Sequence, residues 1–349
     1  MNTISPWINA LPEIPMGSVW LLNDLSEYRG KQELFTRQSP QKLKALREHA
    51  LIESAVCSNR IEGVEVDQKR IGTVLFGKGH LQDRDEEEVR GYQRALSWIH
   101  SGGGSIPLSV ETILKLHAMT RPNIWDSGCF KKDDGEIIEK HPDGRVTLRF
   151  KPLSAAETPK ALETLCIDLQ CLLRDGEVPP LLLLAAFNLD FLCIHPFRDG
   201  NGRVSRLLLL LLMYHLGFEA GRYISLERII EQSKERYYVT LRDSSQGWHE
   251  AEHNPWPYIN YLLYTIKELY QEFEERYENM ALPFGEKTKT VLNAINSFPG
   301  DFHITELQKR CPEASIDLIR KVLGRMKKDG EILCKGRGKL ARWSLLGNR

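Results

Sequence analysis

Residues 195–206 combine side chains suited to acid–base chemistry and to phosphate binding within one short segment. His195 is the type of side chain whose proton moves near neutral pH, and Asp199 offers a hard oxygen ligand suited to Mg²⁺. Gly200 and Gly202 lack a Cβ and admit positive φ, so the loop can turn successive backbone N–H groups toward one point. The segment therefore indicates an anion-binding loop beside a titratable base.

Two arginines follow this loop on the first turn of a predicted apolar helix. Arg203 and Arg206 lie three residues apart, and guanidinium groups fit phosphate oxygens. The helix N-terminus itself attracts anions. A base, a metal ligand, an anion nest and two arginines together predict phosphoryl or nucleotidyl transfer to a hydroxyl. The alternative is a helix-terminal histidine followed by solvent-facing arginines, which suits each residue alone better than the ordered set.

The same segment resembles the signature of the Fic family, HPFx(D/E)GNGRxxR, and His195–Arg206 matches every fixed position. Fic proteins transfer AMP from Mg-ATP to a Ser, Thr or Tyr hydroxyl of a protein and release diphosphate. The resemblance implies that His195 is the general base and that Asp199 holds Mg²⁺. It also implies that Phe197 is a core residue that orients the loop.

The resemblance further assigns the contacts to ATP. The backbone of Gly200–Gly202 and the Asn201 side chain would cradle phosphates. Arg203 would bind the β/γ end, and Arg206 would clamp the γ-phosphate. The resemblance also places Arg198 among the residues expected to contact ATP.

A second resemblance lies upstream, where Ser58-Asn59-Arg60-Ile61-Glu62-Gly63 resembles the family's inhibitory motif (S/T)xxxE(G/N). It implies that Ser58, Glu62 and Gly63 form an inhibitory segment in which Glu62 enters the ATP site and pairs with Arg206. One carboxylate and the γ-phosphate cannot both hold the same guanidinium. The alternative is a Ser and a Glu on a solvated helix end. Glu62 could also position water to remove AMP, which would make the enzyme bidirectional.

Glu136–Lys140 and Arg145–Phe150 predict a β-hairpin, because His141-Pro142-Asp143-Gly144 between them is a strong turn signal. The hairpin lies where the Fic family has its flap, which docks the target segment by strand pairing. Ile137 and Ile138 are then expected to cover ATP or the target side chain. An ordinary surface hairpin is the alternative.

Tyr237 lies in a helix-like stretch and is expected to cover the adenine. Some Fic relatives carry an Asn eight residues later, and this chain has Ser245 there.

His249-Glu250-Ala251-Glu252-His253 fits the zinc-binding pattern HExxH, which requires a stable helical turn. Asn254-Pro255-Trp256-Pro257 follows at once and disfavours such a helix. No P-loop or Rossmann glycine motif occurs in the sequence.

The elements that must position these residues are mostly helices. Apolar spacing predicts a helix over about 40–62 that ends near Gly63, and an acidic first turn predicts a second helix from Asp85-Glu86-Glu87-Glu88. Further helices are expected at about 155–174, 180–193 and 202–216. We therefore expect a mainly α fold with a β-hairpin flap. An N-terminal helical region (1–100, with the inhibitory helix at about 40–63) precedes a Fic-type catalytic core (101–280).

Residues 281–349 are predicted to form a third domain, after a linker near Leu282-Pro283-Phe284-Gly285. The sequence predicts three helices, at Glu286–Ser297, Ile304–Arg310 and Ser315–Asp329. A predicted hairpin of Glu331–Lys335 and Leu340–Leu345 follows them. This order of elements is typical of a winged helix-turn-helix. The 47 basic and 47 acidic side chains of the chain balance, yet residues 286–349 hold 14 basic and 7 acidic ones. This excess predicts a polyanion partner, with DNA as the candidate, or else a solvated basic face. A DNA-binding regulator in which the Fic-type core is accessory is therefore the alternative function, and a winged helix that docks a protein is the alternative to DNA binding.

Composition limits the remaining possibilities. A 42% hydrophobic and 27% charged chain of 349 residues is typical of a globular protein with a large core. Apolar runs are too short for a membrane span, and no secretory signal is visible. Seven cysteines without a CxxC pair argue against a disulfide framework and a zinc ribbon, and favour a reducing cytoplasm. No membrane partner is expected. The expected partners are ATP, Mg²⁺ and a protein hydroxyl, either on a target or on the chain itself. A homodimer that buries or exposes Glu62 is left open.

Overall fold

A computed structural model describes residues 2–38, 40–77, 80–140, 145–279, 286–298, 300–336 and 341–345. The chain divides into two compact units, residues 1–277 and residues 278–349. The predicted turn at 141–144, the linker at 282–285 and the tip of the second hairpin at 337–340 lie outside the described residues. The proposed boundary at residue 100 stays a prediction.

The first unit begins with helices. They are α1 (Met16–Gln38), α2 (Pro40–Ile61), α3 (Ile71–Phe76), α4 (Arg84–Gly102) and α5 (Val110–Thr120). The predicted end of α2 is confirmed, since Gly63 takes a left-handed φ of +82° that favours glycine. The start of α4 is set by Asp83, whose carboxylate accepts from the backbone N–H of Glu86 at 2.9 Å.

The predicted hairpin is confirmed as β1 (Ile137–Lys140) paired antiparallel with β2 (Val146–Phe150), with a register shift between Ile137 and Ile138. The remaining helices of the first unit follow it. They are α6 (Thr158–Asp175), α7 (Pro180–Ile194), α8 (Asn201–His215), α9 (Leu226–Gln232), α10 (Lys234–Ser245) and α11 (Trp256–Asn279).

Helix α7 lies in the centre of this unit and is buried along its whole length from Leu181 to Ile194. It is apolar on all sides, as expected of an enclosed helix. The two polar side chains of α7 both have hydrogen-bond partners. Asn188 donates to the Ser205 carbonyl at 3.0 Å, and Asp190 accepts from the indole N–H of Trp248 at 2.6 Å. This packing fixes the end of α7, from which the candidate loop departs.

The second unit contains α12 (Glu286–Asn296), β3 (Phe302–His303), α13 (Ile304–Arg310), α14 (Ile316–Lys328), β4 (Ile332–Lys335) and β5 (Arg342–Leu345). The three strands form one antiparallel sheet in the order β3-β5-β4. The three predicted helices and the predicted hairpin are confirmed. Strand β3 was not predicted, because two residues give too short a pattern.

The described part of the chain contains no helix that is both long and apolar enough to cross a membrane. All seven cysteines are free.

Candidate active site

The loop that joins α7 to α8 begins with a residue in a rare backbone conformation. His195 has φ +51° and ψ +64°, and its N–H donates to the Phe191 carbonyl at 2.9 Å. A left-handed non-glycine residue costs free energy, and such residues cluster at functional sites. The turn stops α7 and directs the His195 side chain out of the helix.

The hydrogen bonding of His195 leaves one ring nitrogen free to act as a base. Nδ1 lies 3.3 Å from the Leu192 carbonyl. A carbonyl only accepts, so Nδ1 carries the proton in the neutral ring and Nε2 keeps its lone pair. Burial lowers the pKa of His195 to about 4, and the nearby Lys131 ammonium acts in the same direction. The ring is therefore neutral at pH 7 and ready to accept a proton at Nε2.

Asn201 closes the loop upon itself. Its side-chain oxygen accepts from the Phe197 N–H at 2.9 Å, and its side-chain nitrogen donates to the Phe197 carbonyl at 2.7 Å. Both ends of the amide thus hold the loop backbone, and the phosphate contact that the resemblance implies for Asn201 stays a prediction. Phe197 is 1% exposed and stacks on His117 with ring centroids 3.9 Å apart, which confirms its predicted core position.

Two further side chains fix the loop from outside the motif. His117 accepts from the Gly128 N–H at Nδ1 (2.9 Å) and donates from Nε2 to the Asp199 carbonyl (3.0 Å). Lys131 donates from Nζ to the Ile194 carbonyl at 2.9 Å, and burial lowers its pKa to about 8. Neither residue was predicted, because both reach the loop from distant positions in the chain.

Arg203 is held by a buried carboxylate, Glu88, that the sequence analysis had assigned only to an acidic first turn. Glu88 is 4% exposed and pairs with Arg203 through Oε2 and with Arg121 through Oε1. The surface residue Arg84 pairs with the same Oε1 at 2.7 Å. Three guanidinium groups thus share one carboxylate, and this arrangement fixes the position of Arg203.

Asp199 lies at the edge of this cluster and is the residue suited to a metal. Its Oδ2 lies 2.9 Å from Nη2 of Arg121, and 55% of its side chain is exposed. The described residues contain no group of three His, Cys, Asp or Glu side chains placed to hold a metal ion. Mg²⁺ commonly binds one or two carboxylates together with substrate phosphates. A single exposed carboxylate beside an anion-binding loop therefore fits Mg²⁺ that is also bound by a triphosphate.

Arg206 is fully buried and is held by the predicted inhibitory segment. Its Nε donates to the Ser58 hydroxyl at 2.9 Å, and its Nη2 donates to the Ser58 carbonyl at 2.9 Å and to Glu62 Oε1 at 2.7 Å. Burial alone would lower the pKa of Arg206, but the Glu62 carboxylate together with Tyr237 and Tyr92 raises the pKa above its usual value. The predicted pairing of Glu62 with Arg206 is present in the structure.

The Glu62 carboxylate also covers the N-terminus of α8. A Cβ placed on Gly202 would collide with Glu62 Oε1 and would lie 3.2 Å from Nη1 of Arg206. Glycine at 202 therefore allows an anionic group to approach the helix backbone. In this structure the anionic group is a side chain of the protein itself.

Several buried N–H groups of the arginines have no hydrogen-bond partner among the described residues. They are Nε of Arg121, Nε of Arg203 and Nη1 of Arg206. Buried donors are normally paired, so unpaired cationic donors at one site indicate a missing anionic ligand. Nη1 of Arg206 lies beside Gly202, where a phosphate oxygen could accept from it.

A cavity of about 290 Å³ opens beside the loop and brings five of the predicted residues together. These are Glu62, Ile137, His195, Gly202 and Tyr237. Residues that were not singled out complete the wall: Arg149, Phe150, Leu192, Cys193, Tyr238 and Leu241, with Ser245 at the position already noted. Tyr237 is 2% exposed and packs among other tyrosines.

The other predicted residues lie outside the wall of this cavity. Arg198 donates to Asp126 Oδ2 at 2.7 Å and lies over the Trp125 ring, and its contact with ATP stays a prediction. Ile138 is 45% exposed on the hairpin, because consecutive residues of a strand point to opposite faces. The hairpin therefore contributes Ile137 from β1, and Arg149 and Phe150 from β2, to the cavity wall.

The HExxH segment does not form a metal site. Residues 246–255 are turns and irregular structure, as the following prolines predicted. His249 contacts the Lys151 carbonyl at 2.7 Å, and His253 contacts the Thr3 hydroxyl at 2.8 Å. The two histidines thus have separate structural partners.

Comparison with known proteins gives consistent results. Residues 107–213 match the Fic/DOC family model. The chain is 23% identical over 247 residues to a protein adenylyltransferase Fic from Nematostella vectensis, covering 68% of this chain and 53% of that protein. It therefore spans about half the length of this curated relative.

Solved structures share the fold. A Fic family protein from Desulfovibrio desulfuricans G20 superposes with a TM-score of 0.63 at 21% identity, covering 97% of this chain and 98% of that one. A Fic domain containing signaling protein from Bacteroides thetaiotaomicron VPI-5482 gives 0.62 at 21% identity, covering 73% and 97%. The predicted mainly helical Fic-type fold is confirmed.

Proposed function

We propose that this protein transfers AMP from ATP to a hydroxyl side chain of a protein, a target or the chain itself, since residues 107–213 match the Fic/DOC family model. The proposal rests on one observation: His195, Gly202 and the unpaired donor of Arg206 lie close together. This arrangement provides a base, a backbone anion site and a cationic clamp beside one cavity.

The chemical step requires one proton acceptor and a displacement at phosphorus. The neutral His195 accepts the hydroxyl proton at Nε2 while the hydroxyl oxygen bonds to the α-phosphorus. The bond between the α-phosphorus and the oxygen bridging to the β-phosphorus breaks, and diphosphate leaves with that electron pair. The proton remains on His195 until it is released to solvent.

The remaining residues bind the triphosphate. Arg206 and the N-terminus of α8 bind its terminal phosphate, and Arg203 binds beside them from its fixed position on Glu88. Asp199 is the residue that would hold Mg²⁺, which when bound neutralises phosphate charge and aids the departure of diphosphate. The apolar wall of Ile137, Leu241 and the two tyrosines suits an adenine ring.

The hairpin is suited to dock the protein that receives AMP. Ile138, Val146 and Leu148 are 45–58% exposed on strands β1 and β2. A strand edge binds an extended segment through its backbone, and apolar neighbours add contact area. Such docking would place a target hydroxyl near His195 with little requirement for a particular target sequence.

We further propose that Glu62 inhibits the enzyme. Its carboxylate occupies the anion site formed by Gly202 and Arg206, so a γ-phosphate cannot bind there at the same time. ATP bound beside Glu62 would lack its clamp, and its α-phosphorus would not be aligned for in-line attack. A charge-assisted hydrogen bond to a buried guanidinium is strong enough to hold this state.

The test is labelling with ATP that carries radioactive phosphorus at the α-position. The Glu62→Gly variant should incorporate about tenfold more label than the wild type, because it frees one charge-assisted bond for phosphate. Glu65→Gly, the same change three residues later on an exposed side chain, is the matched control and should leave labelling unchanged. Label should vanish in Glu62→Gly/His195→Ala. Persistent label in that double variant would remove His195 from its assigned role.

The bidirectional alternative is measured with the same proteins. If Glu62 also positions water, the wild type should release AMP from a labelled target and Glu62→Gly should not. Equal release by both variants would restrict Glu62 to inhibition.

A further inference from the structure

The second unit carries a basic surface that the candidate active site does not use. Helix α13 is followed by the turn 311–315 and by α14, which begins where the Ser315 hydroxyl accepts from the Leu318 N–H at 3.2 Å. Two helices joined by a short turn, with a sheet after them, are typical of a winged helix-turn-helix. In that arrangement the second helix presents one face to solvent.

Helix α14 divides its residues sharply between core and surface. Its core face consists of Ile319, Val322, Leu323 and Met326. Its exposed face contains five basic side chains and one acidic side chain, Asp317. The basic residues are Arg320, Lys321, Arg325, Lys327 and Lys328.

The acidic neighbours do not neutralise this face. Arg320 lies 3.3 Å from Asp317 and Arg325 lies 3.7 Å from Asp329, and all four side chains are at least half exposed. Exposed ion pairs of this kind contribute little free energy and exchange readily for other partners. The positive charge is therefore available to an external polyanion.

A glycine lies in the middle of the basic face. Gly324 is exposed, and a Cβ built on it would meet no atom within 4 Å. Glycine inside a helix is unfavourable compared with alanine, and none of the described residues of this unit approaches Gly324 closely enough to require it. Because Gly324 has no side chain, the surface of a partner can approach the helix backbone closely between Lys321 and Arg325.

We propose that the exposed face of α14 binds duplex DNA, with the helix in the major groove. A major groove admits one α-helix, and its two bordering phosphate rows match a helix that is basic along its length. Lys335 and Arg342 on the exposed parts of β4 and β5 add positive charge on the hairpin that follows. The proposal is independent of AMP transfer, because the residues described above for the candidate active site belong to the first unit and the basic face belongs to α14.

The first test uses the full chain and a labelled mixed-sequence DNA duplex in fluorescence anisotropy. Wild-type affinity should fall steeply as salt rises. The triple variant Arg320→Ala/Lys321→Ala/Arg325→Ala should bind about tenfold more weakly at low salt, and the slope of log affinity against log salt should shrink by about 1 for each lost phosphate contact. The charge-matched control Lys31→Ala/Lys44→Ala/Lys160→Ala, on the first unit, should bind like the wild type.

A second variant separates binding from folding. Gly324→Leu should keep or raise the Tm, since leucine favours a helix and has open space, while it weakens DNA binding by blocking close approach. Absent or salt-insensitive binding, an unaffected triple variant, or equal loss in the control triple would each overturn the proposal. Tighter binding to single-stranded RNA of the same length would also overturn it and assign the face to RNA.

Discussion

Glu88 is the side chain on which the arrangement of the phosphate-binding arginines depends. It is buried, and it accepts from Arg203, Arg121 and the surface residue Arg84. Removal of one partner from a buried ion pair leaves uncompensated charge, which is far costlier than losing an exposed pair. Without this carboxylate, two buried guanidinium groups would repel each other beside the loop.

We therefore predict that Glu88→Gln lowers the free energy of unfolding by about 3 kcal/mol and raises the KM for ATP more than it lowers kcat. The measurements are urea unfolding and steady-state labelling in the Glu62→Gly background. Glu87→Gln, one position earlier on the same helix, should change neither quantity. Identical behaviour of the two variants would show that Glu88 does not position Arg203.

The protonation of His195 gives a second prediction at this scale. Burial and Lys131 lower its pKa to about 4, and Glu62 raises it. The base is active when neutral, so activity is present above its pKa and is lost as pH falls through it. In the Glu62→Gly variant, kcat/KM should therefore stay constant from pH 7 down to about 5 and fall below that.

The control for this pH profile is Lys131→Gln, which removes the neighbouring positive charge. Its acid limb should move upward, toward the ordinary histidine pKa of about 6.5. A limb near 6.5 in the Glu62→Gly variant itself would contradict the environment described for His195.

Single residues also show what the sequence could and could not predict. The sequence predicted residues 195–206 and Glu62 as parts of the candidate site, because each belongs to a compact motif. Glu88 and Lys131 were not found, because they act through contacts more than 60 residues away in the chain. Asn201 lies inside the motif, yet its contact with the Phe197 backbone depends on the loop conformation, which the motif alone does not specify.

At the scale of elements, the end of α2 determines whether Glu62 reaches the active site. The helix stops at Ile61, and Gly63 turns the chain with φ +82°, so that Glu62 points toward Arg206. An alanine in that conformation carries a penalty of roughly 1–2 kcal/mol. The inhibitory contact therefore depends on a backbone conformation as well as on a charge.

Gly63→Ala should lower the free energy of unfolding by about 1 kcal/mol and raise AMP incorporation, because strain at the turn displaces Glu62. Urea unfolding and labelling measure the two effects. Gly72→Ala in α3 has open space and no positive φ, so it should be neutral or stabilising and leave labelling unchanged. Unchanged labelling in Gly63→Ala would separate the turn from inhibition.

The two helices on either side of the candidate loop were predicted well. The predicted helices at 180–193 and 202–216 correspond to α7 and α8 within one residue at each end. Helices α3 and α9 were not predicted, and no bounds were predicted for the long helices α1 and α11. The hairpin was predicted from its turn residues, while the register shift between Ile137 and Ile138 left no sequence signal.

At the scale of the whole molecule, the chain divides into residues 1–277, which hold all the residues of the candidate active site, and residues 278–349. The second unit has its own core, formed by residues such as Phe302, Leu307 and Leu323. Each unit therefore buries the apolar surface that a separate fold requires.

A chain that ends at residue 279 and carries Glu62→Gly should fold and incorporate AMP at a rate within about twofold of the full-length variant. No site residue is lost, and the cooperative core of the first unit is complete. Circular dichroism and the labelling assay measure this. A folded but inactive fragment would show that residues 280–349 contribute to AMP transfer.

The central claim is that the loop between α7 and α8 binds a triphosphate where Glu62 now lies. The most direct measurement is a crystal structure of the Glu62→Gly variant with Mg²⁺ and an ATP analogue whose α–β bridge cannot be cleaved. We predict a terminal phosphate within hydrogen-bond distance of Arg206 and the α-phosphorus facing Nε2 of His195. A triphosphate bound elsewhere, or an imidazole turned away from the α-phosphorus, would contradict the account.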